Sequence, residues 1–101
     1  MRVIVFFDLP VETALERRNY REFRKYLLKS GFIMMQESVY TKLALNTTAA
    51  GAVTENVKKN KPPAGLVQML TVTERQYSRI ECIVGNLASE VISSDERLVV
   101  L

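Results

Sequence analysis

Asp8 is the residue in this chain best suited to do chemistry. It ends the apolar run Val3-Ile4-Val5-Phe6-Phe7, and Leu9-Pro10 follow at once. The sequence has one other aspartate, Asp95, no histidine, and a single cysteine, Cys82. Without imidazole, the commonest general base and the commonest zinc ligand are missing. Hydrolysis would fall to a carboxylate, a tyrosine, or a water activated by a metal ion. Mg²⁺ suits such a site, because it keeps several waters and takes one or two carboxylates together with phosphate oxygens. The plainer role for Asp8 is to end a strand and help start the turn at Leu9-Pro10. Cys82, between Glu81 and Ile83, reads as a small core residue.

A second set of residues is basic. Arg17, Arg18, Arg21, Arg24, Lys25 and Lys29 crowd one stretch, opposed there by Glu16 and Glu22. On a helix, Arg17, Arg21 and Arg24 share one lane, and Arg18, Lys25 and Lys29 an adjacent one. Two lanes of cations can track a phosphate backbone, with affinity that falls as salt rises. The bland alternative is a solvated helix face. Lys58, Lys59 and Lys61 form a smaller cluster that suits the C-terminal end of a helix dipole. In "QESVY", residues 36–40, Gln36, Ser38 and Tyr40 share parity and read as a polar stripe at an edge or interface, where Tyr40 can stack or hydrogen-bond. The net charge of +3 permits an anionic partner without demanding one.

These residues need elements to hold them. Residues 2–8 read as a strand apolar at both parities, hence covered on both faces. Residues 13–30 read as a helix, with Thr13 and Glu16 at capping-box spacing. Tyr20, Phe23 and Leu27 form its core stripe, Leu15 extends it, and Gly31 stops it. Residues 32–41 read as extended, either one bent strand or a hairpin turning at Gln36-Glu37. A second helix is expected over 46–59, capped by Asn46 or Thr47 and ended by "NKPPAG". Strands follow at 66–73, 80–84 and 97–101, with one helical turn at 74–78 and a loop at 86–96.

At 101 residues, one domain spanning 1–101 is expected. The order β-α-β-β-α-β with an extra C-terminal strand gives an α+β, ferredoxin-like sandwich. In that layout both helices lie on one face of the sheet and the first strand is central. Two helices cannot cover both apolar faces, and the surplus exceeds what soluble monomers leave in water. A sheet-to-sheet homodimer with a two-fold axis resolves this and brings the two Asp8 carboxylates together. Paired carboxylates repel unless a cation intervenes, which again selects Mg²⁺. No apolar run is long enough to cross a bilayer, so no membrane association is expected. The first run reads as a strand and not as a signal peptide, and one cysteine rules out an internal disulfide, which together favour the cytoplasm.

"VIVFFDLP", an arginine-rich helix, and then "GFIMMQESVYTKL" together resemble the small CRISPR-associated adaptation protein, the second of the two proteins shared by nearly all spacer-acquiring systems. The resemblance covers residues 1 to about 45 well and the rest loosely, and is greatest to versions that accompany the single-chain RNA-guided effector. It implies a ferredoxin-like fold dimerised through the sheets, with the C-terminal strand crossing to the partner. It implies a dimer that bridges two dimers of the CRISPR integrase and holds double-stranded foreign DNA for insertion into the repeat array. It also implies Mg²⁺-dependent cleavage of RNA or DNA through Asp8, and nucleic-acid contacts from Arg17 and Arg18, with Arg21 and Lys25 along the same helix. The family tyrosine before the aspartate is here Phe7, so any role of that hydroxyl is absent. The competing function is a stand-alone, metal-dependent, toxin-like ribonuclease or RNA-binding module on the same fold.

Overall fold

The computed structural model describes residues 1–85. The chain runs β1 (Arg2–Asp8), α1 (Ala14–Lys29), β2 (Ile33–Gln36), β3 (Val39–Leu43), α2 (Thr47–Lys59), β4 (Leu66–Val72) and α3 (Glu74–Tyr77). The strands form one sheet in the order β2-β3-β1-β4, with every neighbouring pair antiparallel. That β-α-β-β-α-β order is the ferredoxin-like arrangement, with β1 central as the sequence predicts.

Alternation along β1 sorts its side chains. Val3, Val5 and Phe7 join Phe23 and Leu27 of α1 and Ala50 and Val57 of α2 in one buried cluster, so both long helices pack on the same sheet face. Tyr40 and Met69 lie opposite Val5 in register and add to that face. Helix α1 begins with a complete capping box: the Thr13 hydroxyl accepts from the Glu16 amide at 3.1 Å, and the Glu16 carboxylate accepts from the Thr13 amide at 3.0 Å. Such a cap is worth about 1 kcal/mol. At its other end the Lys42 ammonium, reaching from β3, donates to the Ser30 carbonyl, a cation where the helix dipole is negative. Gly31 follows in the left-handed region, with φ of 96°.

Several expectations change. The extended segment is a hairpin, but Glu37 and Ser38 make the turn and Gln36 ends β2. That turn breaks the shared parity of Gln36, Ser38 and Tyr40, and Tyr40 is fully buried on the helix side. Leu15 is exposed and does not extend the α1 stripe. Residues 80–84 form no strand: Ile83 and Val84 lie exposed and pair with none of the described strands, and Gly85 turns the chain with φ of 103°. Cys82 is exposed and not a core residue, with its thiol set against the Val84 and Gly85 carbonyls. The expected loop at 86–96 and strand at 97–101 lie outside the described residues.

Candidate nucleic-acid and metal site

Asp8 is the last residue of β1 and pairs with Leu66 of β4. Strand alternation aims it, with Ile4 and Phe6, at the sheet face turned away from α1 and α2. It is exposed, and neither of the two ion pairs among the described residues involves it. Gly65 packs against this strand end. Its φ is 99°, and a Cβ there would lie 3.0 Å from the Asp8 carbonyl and 2.6 Å from a Leu9 methyl. In the sequence Gly65 reads only as the end of the break at residues 60–65. The signal for it was its place immediately before an apolar strand, where close backbone approach favours glycine.

Asp8's sheet face is apolar and only partly covered. Phe6 is 37% exposed, Leu70 52%, Leu66 55%, Leu43 58% and Ile33 61%. Near its centre Ile4 and Thr41 are buried, and the Thr41 hydroxyl has no partner among the described residues. Part of the cover comes from α3, through Arg2. Arg2, on this face, holds Glu74 through Nε at 2.9 Å and Nη2 at 2.7 Å, and lies 4.2 Å from the Tyr77 ring centre. The Arg2 hydrogen bond keeps the Glu74 carboxyl below its usual range, and Glu74 in turn raises the Arg2 guanidinium.

Among the described residues no three carboxylates or thiolates converge to hold a metal. Among the described residues Asp8 therefore stands as an exposed carboxylate outside any ready-made metal cluster. That fits a water-rich, hard-cation site in which a second acid comes from another copy, and does not fit a closed cage within one chain.

Phe7 points the opposite way from Asp8. It is buried against Tyr20, Phe23 and Tyr40, with ring centres 5.9, 5.3 and 5.6 Å away. A hydroxyl at this position would enter that aromatic cluster and would not reach the Asp8 face. The missing tyrosine thus bears on the core and not on the carboxylate.

The basic residues occupy a different surface. Arg18, Arg21 and Lys25 are exposed on the outer side of α1, with the helix layer between them and the sheet. Arg17 is tied to the connection after β1: its Nη1 donates to the Val11 and Glu12 carbonyls at 3.2 and 2.9 Å. A single copy therefore ties Arg17 to the connection that follows Asp8 and leaves Arg18, Arg21 and Lys25 on the outer helix surface. Lys58 pairs with Glu55 at 3.1 Å, in keeping with the bland role. No described helix is long and apolar enough to cross a membrane.

The described residues thus form an α+β sandwich with an exposed acid at the end of its central strand and cations along the outer face of α1. Residues 1–80 match the family described as CRISPR associated protein Cas2. A protein of Treponema denticola named CRISPR-associated endoribonuclease Cas2 is 60% identical over 101 residues, spanning all of both chains. One of the same name from Streptococcus mutans is 48% identical, over 100% of this chain and 93% of the relative. The crystal structure of Streptococcus pyogenes Cas2 at pH 6.5 superposes with a TM-score of 0.60 at 16% identity, over 83% of this chain and 100% of that one, a likeness of fold. The chain belongs to the Cas2 family.

Proposed function

We propose that two copies of this chain join through their open sheet faces, and that the seam carries both Asp8 carboxylates as a Mg²⁺-dependent site for cutting phosphodiesters. The observation behind this is that Asp8 stands exposed on the sheet face where Leu43, Leu66, Leu70 and Ile33 remain in water. Burying that face against a twin removes the exposed surface and sets one acid from each copy at a common seam. Each Asp8 then serves as one ligand, and the surrounding apolar residues exclude bulk water. When bound, Mg²⁺ would offset the charge of the paired acids and supply the Lewis acidity that hydrolysis needs in a chain without histidine. The name endoribonuclease carried by the relatives favours RNA as the substrate.

The same dimer supports a second role, as the bridge between two integrase dimers that holds foreign duplex DNA during spacer acquisition in the cytoplasm. What favours it is the separation of charge from acid. Arg18, Arg21 and Lys25 lie on the outer helix surface and not beside Asp8, an arrangement better suited to holding a duplex than to presenting it for cleavage. Asp8→Ala separates the roles. It should abolish Mg²⁺-dependent cleavage of RNA while leaving dimer mass, duplex binding and co-purification with a candidate CRISPR integrase intact. Cleavage at the wild-type rate by the variant would remove Asp8 from the mechanism. Failure of the wild-type chain to bind any integrase would favour the stand-alone ribonuclease. Alanine at Arg17 and Arg18 together should weaken duplex binding and flatten its salt dependence by about 0.9 in log–log slope per lost phosphate contact.

A further inference from the structure

The cations of this chain differ in what already engages them. Arg2 is neutralised by Glu74 and Lys58 by Glu55. Arg24 is engaged without being neutralised. Its Nε donates to the Tyr40 hydroxyl at 2.7 Å, and no described carboxylate lies within ion-pair distance of it. Tyr40 is itself enclosed. It is 0% exposed, its ring stacks on Phe7 at 5.6 Å and 27°, and its backbone lies between Val5 of β1 and Met34 of β2. The hydroxyl is therefore a fixed post, reached from an exposed helix position.

We infer that Arg24 is a preset anchor for a nucleic-acid backbone phosphate, aimed by the buried hydroxyl of Tyr40. This rests on the nucleic-acid function proposed above and adds a residue pair to it. Holding the guanidinium by Nε fixes its plane and leaves both terminal nitrogens for the paired, parallel hydrogen bonds that phosphate oxygens accept. Side-chain freedom normally lost on binding is already lost in the free protein. Arg24 continues the lane of Arg17 and Arg21, which extends about 10 Å along the helix at 1.5 Å per residue. That length matches about three phosphate-to-phosphate steps of one strand, at about 3.4 Å each along the duplex axis. Tyr40 is the positioning residue; Arg24 touches the phosphate.

The test uses the full-length chain and a short DNA duplex, with binding followed by fluorescence anisotropy across a series of KCl concentrations. Arg24→Ala should weaken binding and lower the log–log salt slope by about 0.9. Tyr40→Phe keeps the ring and the charge, so it should weaken binding about two- to tenfold with the slope unchanged. In an Arg24→Ala background, Tyr40→Phe should have no further effect. Arg24→Lys keeps the charge but not the fork, so it should keep the slope and lose affinity. Circular dichroism establishes that each variant is folded. Tyr40→Phe binding at wild-type strength overturns the inference; should that variant fail to fold, Arg24→Lys binding at wild-type strength overturns it instead. If wild type shows no salt-dependent duplex binding, the nucleic-acid function itself fails. If binding depends on Arg18 and not on Arg24, only the anchor fails.

Discussion

Leu70→Glu probes the open sheet face at low risk to the fold of one copy. Leu70 pairs with Ile4 on β1, and about half of it is already in water. Replacing it removes little that a single copy uses. In a sheet-to-sheet dimer the cost is doubled by symmetry. Each copy forfeits about 1 kcal/mol of burial still unclaimed by a half-exposed leucine. Each also carries an unpaired carboxylate into a dry seam, at a penalty of at least about 2 kcal/mol. The total, about 6 kcal/mol, corresponds to about four powers of ten in Kd. Sedimentation equilibrium should then report dimer for wild type and monomer for Leu70→Glu at micromolar concentrations, with unchanged circular dichroism. Leu45→Glu is the control, since Leu45 is 90% exposed outside the strands and should leave the mass unaltered. A Leu70→Glu protein with wild-type mass, or a wild-type chain that is monomeric throughout, would refute the reasoning.

Further predictions concern the strand end, the third helix and the core. Gly65→Ala puts a side chain in the left-handed region and against the Asp8 and Leu9 backbone. It should cost at least about 1–2 kcal/mol, visible as a drop of about 5–10 °C in Tm. Because Arg2 holds the folded Glu74 carboxyl below its unfolded range, the stabilisation from that pair is fully present above the ordinary glutamate pKa and is lost only as pH falls through the lowered folded value. NMR amide shifts of α3 should therefore titrate with a midpoint below the ordinary glutamate value of about 4.3; movement centred at the ordinary value would contradict the pairing. Leu27→Ala, at a fully buried site under α1, should cost about 2–5 kcal/mol in urea unfolding.

Local and periodic features were legible in the sequence. The Thr13–Glu16 box, the Phe23–Leu27 stripe and the double-sided apolarity of β1 depend on neighbours a few residues apart, and each appears in the fold as expected. What escaped depends on contacts between distant segments. Tyr40 reads as part of a polar stripe only if the strand is unbroken, and the turn at Glu37-Ser38 reverses its side. Residues 80–84 look like a strand by composition, but β4 is an edge of the described sheet and they pair with nothing in it. The partial cover of the second face by α3 follows from Arg2 meeting Glu74, which lies 72 residues away. At the candidate site, Asp8 was conspicuous because an acid is out of place after five apolar residues. The role of Tyr40 in holding Arg24 had no local signature, since the arginine looks like any other cation on an exposed helix face.

The decisive experiment is a mixed dimer of one wild-type chain and one Asp8→Asn chain, isolated by two different tags and assayed for Mg²⁺-dependent RNA cleavage. A single site built jointly by both copies predicts a rate close to that of the doubly substituted dimer. A rate half that of wild type would mean that each copy cuts alone, and would contradict the account.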